Sequence, residues 1–219
     1  QRQLHLVRLI ARARHLVVRR VDAAVKDPDN QARLVHMQGA TSTEATLSDP
    51  IFGFHMAGAL RLRRTVEMFQ WTERSESVLR DRLNGGGKER ITTYSYQTAW
   101  HPVAVDSSKF RGPQGRIHQN PPMPFDTEER EAGDASLGAF RLPCALLAQL
   151  RDFVLCTEAA PKTVELSKQY GGLQFAQGVM HGRTYMLSRP AEEPPEVGDL
   201  RVSFAQVSCG PATVLAVQA

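Results

Sequence analysis

Seven histidines, His5, His15, His36, His55, His101, His118 and His181, offer the most versatile chemistry in this 219-residue chain. No two of them make the H-x-x-x-H or H-E-x-x-H spacing that sets a pair of imidazoles on one helical face, so a metal site would need assembly from distant segments. Cys144, Cys156 and Cys209 never approach a C-x-x-C pair. They leave two options open, one bridge with a thiol left over or three reduced thiols. No G-x-S-x-G elbow, G-x-G-x-x-G turn or G-x-x-x-x-G-K-[ST] loop occurs, and no cofactor is implied. The remaining route to catalysis is a hydrolase-like site in which His55, His118, Asp49 and Asp199 converge. For His36, His55 and His118 the expectation is instead structural hydrogen bonding.

Charged and aromatic residues offer a second kind of chemistry, recognition. Arg63 and Arg64 beside Glu67, and Asp199 beside Arg201, read as cross-strand or solvated ion pairs, with an interface as the alternative. Phe69, Trp71, Tyr94, Tyr96 and Trp100 read as the hydrophobic face of a sheet, with an aromatic binding surface as the alternative. Asn120-Pro121 reads as a rigid turn, with a docking loop as the alternative.

These groups need elements to position them. Arg8, Arg12, His15 and Arg19 recur at spacings of four, three and four, which predicts a basic amphipathic helix; a disordered Arg-rich leader is the alternative. Asp27 to Asn30 is a turn, Ala32 to Gly39 a short strand, and Leu47-Ser48-Asp49-Pro50 another turn. Arg63 to Thr72 and Ile91 to Trp100 are rich in β-formers. Asn84-Gly85-Gly86-Gly87 between them supplies positive-φ residues, which predicts a long twisted hairpin over 62–101. Phe110 to Asp134, with its prolines and glycines, reads as a long irregular connection. Pro143 suits the first position of a helix continued by Leu146, Leu147, Leu150, Phe153 and Val154. Leu200, Val202 and Phe204 alternate with Arg201 and Ser203 as a strand, and Thr213 to Val217 reads as its buried partner. The predicted class is α+β, mainly antiparallel β-sheet with a long β-hairpin and one or two helices. The predicted division is a basic N-terminal segment, 1–30, followed by one domain, 31–219.

With 42% hydrophobic and 23% charged residues the chain can bury a sizeable core. No stretch reaches the ~20 apolar residues of a membrane-spanning helix. The formal charge of +4 is uneven: residues 1–21 carry six arginines and no acid, so the rest is about −2. That distribution argues against a nucleic-acid-binding face. A first residue of Gln rather than Met reads as a trimmed chain or a fragment.

The sequence also carries a family pattern. Leu47-Ser48-Asp49-Pro50 with Gly53 and His55, then Leu62-Arg63-Arg64 with Val66-Glu67-Met68 and Gln70-Trp71, resemble LSDPxxGxH followed by LRRxVEMxQW of the transmembrane protein 43 (LUMA) family. Tyr94-Ser95-Tyr96 through Trp100, His118-Gln119-Asn120-Pro121, Leu137-Gly138-Ala139-Phe140, Pro195 to Phe204 and Gly210-Pro211-Ala212 continue it in order. The resemblance implies the extramembrane, luminal-type domain of a multi-pass membrane protein, here without its membrane spans. It further implies a non-enzymatic scaffold at the endoplasmic reticulum and nuclear inner membrane. That scaffold self-associates as a homo-oligomer, partners with lamins and emerin-like nuclear envelope proteins, and takes no nucleic acid. The candidate interaction or structural residues are Arg63, Arg64, Glu67, Trp71, His55, His118, Asn120, Asp199 and Arg201. Substituting Arg63 or Arg201 is expected to change assembly while leaving folding intact.

Overall fold

The computed structural model describes residues 16–81, 85–157 and 161–218. The basic helix proposed through Arg8, Arg12, His15 and Arg19 lies outside the described residues except at its end, where Arg19 belongs to a strand, Val18–Asp22, rather than a helix; Asn84 of the hairpin turn also lies outside them. In chain order the strands begin with β1 (Val18–Asp22), β2 (Leu34–Ser42), β3 (Thr46–Asp49), β4 (Phe54–Ala57), β5 (Ala59–Asp81) and β6 (Lys88–His101). They continue with β7 (Glu128–Glu131), β8 (Ser136–Leu137), β9 (Phe140–Arg141), a one-turn helix α1 (Cys144–Leu147), and β10 (Val154–Leu155). The last are β11 (Thr163–Glu165), β12 (Gln174–Met180), β13 (Arg183–Leu187), β14 (Leu200–Ser208) and β15 (Pro211–Val217). The molecule is thus mostly antiparallel β with few helical residues.

The larger sheet runs β11-β12-β13-β14-β5-β6, with β10 joining β14 and β7 joining β5. The smaller sheet centres on β2, flanked by β15 and by β1, and continues through β8 and β9. β1 and β2 are parallel; β15 runs antiparallel to β2. Twenty-three residues of β5 serve two neighbourhoods. Its first half lies between β14 and β7, and from Met68 onward it pairs with β6.

The burial pattern along β5 follows the period of two that a pleated strand imposes. Leu60, Leu62, Val66 and Met68 are buried on one face, and the cross-strand partners Leu200 and Val202 of β14 join them there. Phe204 stacks on Phe54 at 4.3 Å, and Phe52 meets Phe125, Phe175 and Phe204 edge-on. Burying each such side chain contributes about 1.5–3 kcal/mol, so this aromatic cluster sets where the β3–β4 turn docks on the sheet.

Four expectations change: Leu47-Ser48-Asp49, expected in a turn, end strand β3, and the turn itself is Pro50 to Gly53. The helix expected from Pro143 through Val154 closes after one turn, because the Arg61 guanidinium binds the carbonyls of Ala148 and Leu150 and draws the following chain out of helical register. Val154 then pairs in β10 with Gln206. The irregular connection from Phe110 to Asp134 contains β7, whose glutamates lie opposite the arginines of β5. Thr213 to Val217 is not the partner of the strand from Leu200: β15 crosses to the smaller sheet, pairs with β2 and keeps alternate residues exposed. Of the two options left open for the cysteines the structure has three free thiols.

Candidate functional site

Asp49 sits at the end of β3 because its carboxylate accepts the amide hydrogens of Ile51 and Phe52, folding Pro50 to Gly53 into a turn that Gly53 completes at φ +62°. Arg64 reaches the same carboxylate from β5, and also donates to the Asp126 carbonyl at 3.0 Å and to Glu128 at 3.3 Å. Both side chains are only 4% exposed. Arg64 is therefore an internal brace. Its neighbour Arg63 points to the opposite face and lies over the Phe153 ring at 4.0 Å, with Glu129 at 3.7 Å.

That opposite face carries a stripe of charge and aromatic rings across β14, β5 and β6. Arg201 and Glu67 are directly opposed in register and form a bidentate pair at 2.7 and 2.8 Å. The Arg201 guanidinium also lies over Trp100 at 4.7 Å and over Tyr185 at 4.9 Å. Phe69 pairs with Trp100 at 5.4 Å. Further along, His118 is held between Tyr96, stacked at 4.3 Å, and Trp71, edge-on at 4.3 Å, with its Nδ1 2.8 Å from the Gln114 carbonyl.

Two side chains fasten the segment from Ser107 to Asn120 over this stripe. Phe69 exchanges hydrogen bonds with the backbone of Asp199 and Gly198. At the next outward position, Trp71, no strand remains, and the Asn120 amide takes its place. Asn120 Oδ1 accepts from the Trp71 amide at 2.7 Å, while Nδ2 donates to the carbonyls of Trp71 and Val105. Beyond it the Glu73 carboxylate accepts the amides of Arg111 and Gly112 and the Tyr96 hydroxyl. Burial alone would raise the Glu73 carboxyl. The Gly112 and Arg111 amides together with the Tyr96 hydroxyl outweigh that and hold it below the usual carboxylate range. Burial and the hydrogen bond to Glu73 push the Tyr96 phenol up.

The structure thus brings together Glu67 with Arg201, and Trp71 with His118 and Asn120. It separates other expected pairs. Arg64 turns to the other face from Glu67, Arg63 shares that face but pairs with Glu129, and Asp199 binds Arg189 rather than Arg201. His55 lies opposite Ser48 in the β3–β4 hairpin with an exposed side chain. Among the described residues His55, His118, Asp49 and Asp199 share no hydrogen-bond partner. Among the described residues no group of three His, Cys, Asp or Glu side chains is placed to hold a metal ion.

Sequence reasoning missed Gln70, wholly buried, which binds the carbonyls of His101 and Val103 and the Val105 amide. It also missed Arg189, bound to Asp199, Glu193 and Glu196. The acidic, proline-rich run after Arg189 was the available signal. The side-chain bond to Asp199 comes first among the causes that raise the Arg189 guanidinium.

A model of the transmembrane protein 43 family matches residues 68–219. Transmembrane protein 43 of Homo sapiens is 36% identical over 200 residues, 87% of this chain and 46% of that protein. The Rattus norvegicus protein is 34% identical over 226 residues, 99% of this chain and 52% of that protein. The transmembrane protein 43 homolog of Drosophila melanogaster is 24% identical over 176 residues, 80% and 43% of the two chains. The chain spans about half the length of the curated relatives it matches. No solved structure matches it.

Proposed function

This chain belongs to the transmembrane protein 43 family, and on that premise we propose that it is the luminal-type domain, 31–219, of a non-enzymatic membrane scaffold. Its setting is the endoplasmic reticulum membrane and the nuclear inner membrane, on the luminal side. Of the basic N-terminal segment proposed over 1–30, Val18–Asp22 is strand β1, which pairs with β2 of the domain. The family name is that of a membrane protein, and no described helix is long and apolar enough to cross a bilayer.

One observation carries the scaffold reading. Past Arg74 the β5–β6 hairpin continues as a two-stranded ribbon that pairs with nothing else among the described residues. It exposes Val78, Leu79 and Ile91 at 55%, 59% and 39%. An isolated two-strand ribbon is marginal in water, and its free edges and apolar side chains suit pairing with another chain. The proposed partners are a second copy of the domain and, for the whole protein, lamins and emerin-like nuclear envelope proteins.

Tagged microscopy of the full-length parent with cross-linking tests this reading. Nuclear-rim and reticular signal with self-cross-links that fall away in the V78K/I91K variant is the expected result. A diffuse soluble pool, or self-cross-links that persist in the variant, overturns it.

A further inference from the structure

The smaller sheet holds a groove that the scaffold reading leaves unused. Val35 and Met37 of β2 lie opposite Ala216 and Val214 of β15 and form its floor, while Phe140 and Leu146 form a wall. Val214 and Ala216 remain half-buried, so the floor is only partly covered. The volume is about 630 Å³, within the ~300–1,000 Å³ of small-molecule sites.

The polar groups at this groove are few and of one character. Lys26 and Arg141 stand at its edge. Lys26 Nζ lies 5.9 Å from the centre of the Phe140 ring, and Arg141 donates to the Gly133 carbonyl at 2.7 Å. Neither has a carboxylate partner among the described residues. Gln218, 5% exposed, also lines the groove. Its Nε2 donates to the Asp27 carbonyl at 2.7 Å, which fixes the orientation of the amide, and its Oε1 is buried without a hydrogen-bond partner. That oxygen is closed off by the surrounding atoms and presents no contact to a molecule in the groove. An apolar floor with two cations at its edge complements a ligand with an alkyl chain and an anionic head.

We propose that the groove binds a monoacyl lipid with a phosphate head, of the lysophosphatidate class. The acyl chain lies along Val35, Met37, Val214 and Ala216. The phosphate meets Lys26 and Arg141. Charge disfavours the chain's own N-terminal stretch as occupant, because residues 1–15 carry Arg2, Arg8, Arg12 and Arg14 and no acid.

Calorimetric titration of the 219-residue chain with 1-oleoyl lysophosphatidate, below its micelle threshold, tests the assignment. The expected result is saturable binding of one lipid per chain, weakened about tenfold or more in K26A/R141A. Monooleoylglycerol, which keeps the chain and hydroxyl but lacks the phosphate, should bind the wild type more weakly and be indifferent to that double substitution. A145W, placed on α1 at the groove, should remove binding while circular dichroism stays native. Non-saturating uptake, or affinities unchanged in K26A/R141A and A145W, means surface adsorption and overturns the proposal. Displacement of the lipid by a peptide of residues 1–15 overturns it in favour of that segment. A dimer that A145W dissociates, without lipid binding, overturns it in favour of a second copy.

Discussion

Asp49 and Arg64, fifteen positions apart, are buried against each other with each side chain 4% exposed, and the same carboxylate folds the turn that delivers Phe52 and Phe54 to the core. Removing one partner of a buried ion pair strands the other charge and costs about 3–5 kcal/mol. Arg64→Ala should therefore lower unfolding free energy by about that much in urea titrations. Asp49→Asn, which keeps an oxygen for the Ile51 and Phe52 amides, should cost less than Asp49→Ala. An unchanged urea midpoint in Arg64→Ala would remove the internal-brace role.

Arg201 and Arg63 share a sheet face but not a role. Arg201 makes two bonds to Glu67 and covers two rings, so Arg201→Ala should cost about 1.5–3 kcal/mol. Lysine cannot reproduce the planar fork, and Arg201→Lys should recover only part of the loss. Arg63, with one 3.7 Å ion pair and over a third of its side chain exposed, should cost less than about 1 kcal/mol on truncation. Thermal melts separate the two, and a changed oligomer mass in Arg63→Ala with an unchanged melt would assign Arg63 to assembly. Equal melting losses for the two variants would contradict the difference in role.

The hairpin was legible because local rules set it: β-formers alternate in both arms, and Gly85, Gly86 and Gly87 adopt positive φ between them. Its outer third, Ser75 to Asp81, was not, because a ribbon exposed on both faces has no apolar alternation to read. The truncated helix shows a tertiary contact overriding a helical pattern, since nothing near Leu150 announces that Arg61, 89 positions earlier, will take its carbonyl. β15 was misassigned for the same reason: its pairing with β2 joins residues more than 170 positions apart, and spacing within either strand is silent about that. Of the candidate site, the Arg201–Glu67 pair rests on cross-strand register, which alternation alone cannot supply.

Glu73 makes the cover over the aromatic stripe pH-sensitive. Its carboxyl titrates lower in the folded chain than the ordinary value of ~4.3. A depressed folded value means stability present above the unfolded value and lost as pH falls through the folded one. The Ser107 to Asn120 segment should therefore loosen as pH drops below about 4, read as Trp71 fluorescence. Glu73→Gln should remove that acid-side step. Tyr96 has the opposite sign: its raised phenol contributes below the unfolded value of ~10 and is lost as pH rises through the folded one. A Trp71 signal with the same acid step in Glu73→Gln would show that another group titrates there.

Asn120 offers the sharpest test, because its amide stands in for a strand. The Trp71 amide hydrogen has Asn120 Oδ1 as its partner at 2.7 Å, so its exchange with solvent reports on that side chain. In Asn120→Ala the amide and the carbonyls of Trp71 and Val105 lose their partner, at about 1–3 kcal/mol. Trp71 exchange should accelerate while the Phe69 amide, bound to the Asp199 carbonyl, stays protected. Asn120→Asp should be worse at neutral pH, since the new carboxylate faces two carbonyl oxygens that formerly accepted from Nδ2. Protonation turns one of its oxygens into a donor, which raises its folded titration value above the unfolded one, so the deficit of Asn120→Asp should shrink as pH falls. Equal Trp71 exchange in wild type and Asn120→Ala would mean that the ladder ends at Phe69 and that the Asn120 amide adds nothing to it.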